Sequence, residues 1–482
     1  AGAGGTFDGS GTKWKYNRAS FFGRLNYNYN DRYLVQATVR YDGSSKFGKD
    51  NRWGCFPSVA LGWRISQEEF FPKDIALNNL KFRVSWGRLG NENALGYYDF
   101  LALISTYNEM YQGYVKGNGD NAWAGSIARG LENRSLKWET TDTKNIGFDF
   151  GFFNSKLTGT LNYYYNQTED LLITKVLPPS AGMTNPTLNV GKIRNTGFEL
   201  ELNWGDAIKD FDYNIGFNMS TTKNKVVELS DADQVLQGEG LKYGTEHFPT
   251  ETRVGKPIGA FYLYRTDGIF QSMDEVNAHV NKDGQLLQPN AQPGDIRFKD
   301  LDGNGSIDAG DKEYCGSGIP TLEANLNLSF GYKGFDLSIV LGSAWNFKLY
   351  NGNKYFYEGM NSKSNMKSTL NAWTPDNRNT DVPRAVYQDP NGNMKESDRF
   401  LENGDFVRLR QAQLGYTLPK SLMQKFYIEK LRFYVSGENL FTITGYDGID
   451  PEFSRASVLN TGVDKLIYPF TRSFTVGAQL TF

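Results

Sequence analysis

The most constraining feature of this chain is two-residue alternation, repeated along most of its length. In FFGRLNYNYN, Phe21, Gly23, Leu25, Tyr27 and Tyr29 fall on one side and Arg24, Asn26 and Asn28 on the other. YLVQATVRY sets Tyr33, Val35, Ala37, Val39 and Tyr41 against Gln36, Thr38 and Arg40. FELELNW sets Phe198, Leu200, Leu202 and Trp204 against Glu199, Glu201 and Asn203. The chain's last residues, SFTVGAQLTF, do the same, with Phe474, Val476, Ala478, Leu480 and Phe482 on one face. Extended backbone with this period has one dry face and one wet face. In a sandwich the dry faces meet in a core and favour Val, Ile and Leu. Here they end in Tyr, Trp and Phe, as a lipid-facing band bounded by aromatic girdles does.

Composition alone leaves two readings open. Aromatic residues make up 15% of the 482 and Gly numbers 52, a bias shared by transmembrane barrels and by secreted β-sandwiches or propellers. A propeller would repeat every 40–50 residues or so, and no such period is found. No apolar run approaches the roughly 18 residues of a spanning helix. A net charge of -2 gives no electrostatic case for nucleic acid. The two histidines, His247 and His279, lie in polar sequence and are too few for most triad or His-metal chemistry. No carboxylate pair stands out for glycosidic chemistry, so no catalytic residue is assigned and the chain reads as a non-enzyme. Cys55 and Cys315 make no disulfide framework and read as two unpaired thiols, with one long-range bridge as the alternative.

The pattern predicts an all-β, transmembrane antiparallel barrel with thirteen strands near 18–30, 32–42, 53–67, 77–90, 138–153, 156–170, 189–204, 211–228, 321–332, 335–350, 406–418, 430–444 and 473–482. Connections alternate in length. Segments such as NDR, NSK, YKG, 205–210 and 419–429 are short, whereas 91–137, 229–320 and 351–405 are long. Short turns on the periplasmic side and long loops outside are the signature of outer-membrane barrels. An odd strand number does not close a single-chain bacterial barrel. Residues 1–482 are therefore expected to be the C-terminal portion of a larger barrel, of about 22 strands with a plugged lumen. No signal segment is read in AGAGGTFDGSGTKW.

Several motifs, in order, carry a family resemblance. RYDGSSKFGKDNRWGCFPSVALGWRISQEEFF (40–71), LKFRVSWGRLGNEN (80–93), NTGFELELNW (195–204), GKPIGAFYLYRTDGIFQ (255–271), PGDIRFKDLDGNGSID (293–308), AWTPDNRNTDVPRA (372–385), FVRLRQAQLGYTLPK (406–420) and ENLFTITGYDGIDPE (438–452) together resemble the SusC/RagA family of TonB-dependent outer-membrane transporters. Cys55 stands where an aromatic residue is expected. The resemblance implies a 22-stranded barrel in the outer membrane of a Gram-negative bacterium, with an N-terminal plug and a TonB box, neither of which is read in this sequence. It further implies import of oligosaccharides or oligopeptides into the periplasm with energy supplied through TonB, and a SusD-like surface lipoprotein as a lid. A terminal aromatic on the lipid face, Phe482, resembles the signal read by barrel-assembly machinery; the plainer reading is a girdle residue.

Four local features remain. DLDGNGSIDAGD (300–311) fits the twelve-residue calcium loop. Asp300, Asp302 and Asn304 take positions one, three and five, Gly305 the sharp turn, Ser306 its carbonyl position, Asp308 position nine, and Asp311 the closing position usually held by Glu. An all-oxygen set suits a hard cation, and no flanking helix pair is read, so a structural calcium ion is expected; the alternative is an acidic turn. The loop aromatics Trp123, Tyr355, Phe356 and Tyr357 are candidate stacking surfaces for substrate, or else loop packing. GKPIGAFYLYRTDGIF is expected as a local hairpin within the extracellular loop. Arg24, Arg40, Arg64, Arg83, Glu199 and Glu201 are expected to line a hydrated lumen. The competing reading of the whole chain is a secreted or surface β-rich binding or adhesion protein with a calcium loop; a passive porin is a third.

Overall fold

Thirteen long strands follow one another in a single sheet. The computed structural model describes residues 13–107, 113–115, 122–128, 130–175, 177, 180, 182–229, 235–243, 245–359, 365–423, 427–453 and 457–482. The strands are β1 (Arg18–Tyr29), β2 (Tyr33–Ser44), β3 (Trp53–Arg64), β4 (Leu77–Asn91), β5 (Glu139–Phe152), β6 (Leu157–Glu169), β7 (Lys192–Ile208), β8 (Phe211–Thr221), β9 (Leu322–Tyr332), β10 (Phe335–Trp345), β11 (Phe406–Thr417), β12 (Lys430–Thr444) and β13 (Ser473–Thr481). Each lies beside its chain neighbour, and β1 and β13 stand at the two ends of that order. The registers of β1–β2–β3 and of β7 through β13 are antiparallel.

Three boundaries differ from the sequence reading. The expected strand 211–228 is interrupted at Thr222, and Lys223–Glu228 follows as a separate strand that stays paired with β7, Asn224 bonding Asn195 in step with the Glu199–Ser220 register. The strand expected at 189–204 runs on to Ile208, so the short turn is Lys209 and Asp210, with Lys209 in the left-handed region. β10 stops at Trp345 because Asn346 takes φ 58°, and the next residues join a loop sheet.

The chain divides into two compact units, one of residues 1–63, 84–145 and 166–193, the other of 64–83, 146–165 and 194–482. In the first, Phe47, Phe56, Leu95, Leu136, Trp138 and Leu172 form a buried cluster. It contains residues from the connections that follow β2, β4 and β6.

In the second unit the sheet is apolar outside and polar within. On β12, Phe433, Val435, Phe441 and Ile443 are exposed. On the opposite face Arg432 reaches across β11 to a bidentate pairing with Asp336 of β10. Gly415 of β11 makes that reach possible, because a Cβ there would come within 2.5 Å of both side chains. Arg83 pairs with Asp149 at 2.7 Å, and Asn325 bonds Asn218 at 2.9 Å on the same kind of face. Glu199, expected to face water, accepts from Asn162.

The long connections of this unit fold as ordinary protein. Leu236–Gln237, Thr250–Thr252, Ala260–Tyr264 and Lys312–Ser317 form one sheet. Leu401–Asn403, Lys348–Asn351 and Val463–Asp464 form another, whose last pair is parallel. Between them lies a core of Leu241, Phe261, Leu263, Tyr350, Tyr355, Met394, Phe400 and Val463. The segment 255–271 is not the expected hairpin. Ala260–Tyr264 pairs with Thr250–Thr252 and Lys312–Ser317, whereas Thr266–Ile269 pairs with Ile296–Phe298. An unbroken apolar run, AFYLY, is buried on both faces and takes a central position in a sheet rather than a hairpin edge. Cys55 and Cys315 are both free.

Candidate functional site

Two places in the second unit concentrate chemistry. The first is on the wet face where β11 meets its loop. Arg408 and Arg410 alternate onto that face of FVRLRQ. Arg408 is buried, donates to Thr442 Oγ1 at 2.9 Å and pairs with Asp450; its other arm lies 3.3 Å from Glu452. Arg410 pairs with Glu452 at 3.0 Å. Gly342 on the neighbouring strand leaves room for Arg410, since a Cβ there would sit 2.1 Å from its Nε. Arg410 and Glu452 line a cavity of about 460 Å³ together with Glu323, Asn325, Ser343 and Phe406. Fixed guanidinium, carboxylate and amide groups beside the rings of Phe347, Phe406 and Phe453 are suited to holding hydroxyl or peptide groups in a wet channel. Sequence reasoning missed these residues as a site. FVRLRQ and GIDPE were visible as motifs, but nothing local joins them.

The second is the acidic loop. Asp300, Asp302 and Asp311 bring one oxygen each within 4.8 Å of one another. Asp311 is fully buried and accepts backbone N–H groups from Leu301 at 2.7 Å and Asp308 at 2.8 Å. Asp300 accepts from Gly303 and Gly305, both in the left-handed region where a side chain is disfavoured. Asn304 accepts from Ser306 N–H and donates to Asp302 and Asp308, and Asp308 also accepts from Gly310. A short 3-10 turn, Ala309–Asp311, follows.

Next to this loop in sequence, Lys312 anchors a buried ionic knot. Its Nζ lies 2.5 Å from Glu396, whose other oxygen is 2.6 Å from His247 Nδ1. Burial alone would raise the Glu396 carboxyl, but bonds and charges from His247 and Lys312 outweigh it and hold it below its ordinary value. Burial pushes the Lys395 ammonium down and the Asp389 carboxyl up.

The candidate aromatics separate. Tyr355 is fully buried, donates its hydroxyl to Leu241 O and packs its ring against Phe356, Phe400 and His247. Phe356 packs on the same core, and Tyr357 ends the short helix Gly352–Tyr357 half-buried. Trp123 lies outside the residues whose side chains are described. Phe482 is exposed just beyond β13.

An antiparallel sheet with a dry outer face, ion pairs on its inner face and folded loops defines an outer-membrane β-barrel. The chain belongs to the TonB dependent receptor-like β-barrel family, whose model matches residues 1–440. It is 32% identical over 475 residues to TonB-dependent receptor P3 of Formosa agariphila, covering 96% of this chain and 45% of that protein. It is 32% identical to TonB-dependent receptor SusC of Bacteroides thetaiotaomicron over 471 residues, 96% of this chain and 43% of that one. Among solved structures, the RagAB peptide transporter superposes with a TM-score of 0.78 at 27% identity, over 97% of this chain and 48% of that one. The chain therefore spans just under half the length of these relatives, which are named as receptors and transporters. The SusC/RagA resemblance and the outer-membrane location read from the sequence both stand.

Proposed function

We propose that this chain is barrel from an energy-coupled nutrient importer, moving oligosaccharides or oligopeptides into the periplasm with TonB-derived energy and a SusD-like lipoprotein lid. The observation that carries this reading is the 32% identity to SusC across 96% of the chain. The Arg410–Glu452 cavity on the wet face supports it, because a channel for polar oligomers needs oriented donors and acceptors along its wall. Family membership disfavours the secreted adhesion reading. Uptake of labelled oligomers by cells carrying the natural transporter, with and without a proton uncoupler, is the test. Uptake that survives uncoupling would instead indicate a passive pore.

The same reading gives the acidic loop a structural calcium ion, held by Asp300, Asp302 and Asp311 with Asn304, Ser306 and Asp308 completing an oxygen set. Its support is the mutual approach of three carboxylates, one of them fully buried, which a divalent cation would neutralise. Calorimetry before and after chelation is expected to show one site that Asp300→Ala and Asp302→Ala abolish. Unchanged heats in those variants would leave the loop an acidic turn.

A further inference from the structure

On the outward face β7 runs Phe198, Leu200, Leu202 and Trp204 from its loop end towards its short-turn end. Phe198 packs against Tyr163 of β6, ring centroids 5.1 Å apart, and both rings are exposed. These rings form part of the lining of a cavity of about 970 Å³ at the loop end. The remaining lining includes Lys223, Lys225, Lys256 and Lys348. Lys223 and Lys225 alternate onto one exposed face of the short strand Lys223–Glu228, which continues along β7. Lys256 Nζ sits 4.4 Å from the ring centre of Tyr314, and Lys348 donates to Asn403 at 2.6 Å.

Among the described residues no carboxylate pairs with any of these four ammonium groups. One carboxylate lines the cavity, Asp405, and it accepts the Asn346 N–H. Four cations against one anion leave a net charge of +3 around a floor that is partly aromatic. Gathering like charges without a counter-charge is unfavourable, so the arrangement implies an anionic occupant. Its level narrows the choice. Aromatic girdles mark the boundary between acyl chains and headgroups, and Phe198 and Tyr163 are exposed rings at the loop end of the outward face, where such a girdle is expected. The lysines line the same cavity from the segment beyond β8 and from the loops. An occupant that is apolar below and anionic above fits both halves.

We propose that this cavity seats the phosphate-bearing headgroup of an outer-leaflet glycolipid. The lysine ammonium groups hold the phosphate oxygens as charge-assisted donors. Tyr163 and Phe198 lie against the sugar ring or the first acyl carbons. This goes beyond import and needs only the outer-membrane location.

The test uses the natural transporter purified in detergent and lipid A as the probe, with retention read by native mass spectrometry. The combined variant Lys223→Gln, Lys225→Gln, Lys256→Gln is compared with Lys223→Arg, Lys225→Arg, Lys256→Arg, and with Lys333→Gln at the short-turn end of the sheet. Each neutralised lysine is expected to weaken retention roughly fivefold, on the order of a hundredfold for three. The Arg variant and Lys333→Gln are expected to retain lipid as the parent does. Should the triple Gln variant not fold, the single Lys→Gln changes carry the fivefold comparison. Dephosphorylated lipid A and inorganic phosphate are expected to compete poorly. Equal retention by parent and Gln variants overturns the proposal, as does full competition by either compound. A change in oligomeric state with unchanged lipid retention also overturns it, making the surface a protein contact.

Discussion

Strands β8 to β13 and the loops that join them handle apolar surface in opposite ways. On β12 the large apolar residues point outward and the charged ones inward; Val435 is 51% exposed, and Arg432 of the same strand is paired inside. In the loop core Phe261, Leu263, Tyr350 and Phe400 are fully buried. One chain thus meets two solvents. Expulsion of apolar surface from water stabilises the loop core, whereas the sheet faces hydrocarbon, where backbone pairing is the requirement. Apolar truncation should therefore hurt the loops far more than the sheet, and added charge should do the reverse.

The largest effect is expected in the loop core. Tyr350→Ala should cost about 3–5 kcal/mol and expose the loops to protease while the heat-modifiable barrel band survives. Loss of both together would erase the contrast. Next comes charge on the lipid face. Val435→Arg, opposite Val476 mid-strand, should destabilise by ~2–4 kcal/mol in bilayers, whereas Ser436→Arg on the wet face should do little. Equal costs would reverse the assigned faces. A smaller and opposite change is expected for Tyr350→Phe. Among the described residues the buried Tyr350 hydroxyl has no hydrogen-bond partner, so removing it should stabilise by about 1 kcal/mol.

Acid sharpens the comparison further. Glu396 has a lowered pKa in the fold, so its contribution is fully present above its unfolded value and is lost as pH falls through the folded one. Loop protection should begin to fall below pH ~4.3. Asp389, raised by burial, works in the opposite sense and partly offsets this loss. Glu396→Gln should flatten the acid limb; an unchanged limb would place the acid sensitivity elsewhere. The smallest effect is expected at the exposed Lys156–Asp206 pair. Despite its 2.7 Å separation, Lys156→Ala should leave the melting profile unchanged.

The sheet was legible because period two is written locally. Each residue of FELELNW declares its face without reference to anything distant. The strand ends were less so, since Asn346 and Lys209 stop strands by taking left-handed backbone, a choice their neighbours do not reveal. The acidic loop was legible for the same local reason as the strands. The Arg408–Asp450 and Arg410–Glu452 pairs were not, being 42 residues apart and joined only by strand register. NKYFYEG read as a possible stacking surface, yet Tyr355 packs in a core whose other members come from residues 241 to 463. Aromatic content is visible in a sequence; whether a ring meets water depends on partners hundreds of residues away.

The parallel pairing of Lys348–Asn351 with Val463–Asp464 has a consequence in time. Glu239 donates its N–H to Asn460, 221 residues on, and Lys465 reaches back 226 residues to Glu239. Such contacts have very high contact order, and the entropy of closing their loops is spent before they return anything. During synthesis the first half of this loop core must wait, apolar and unpartnered, until the segment before the final strand arrives. A folded loop cap is therefore a record that the connection between β12 and β13 has already been reached.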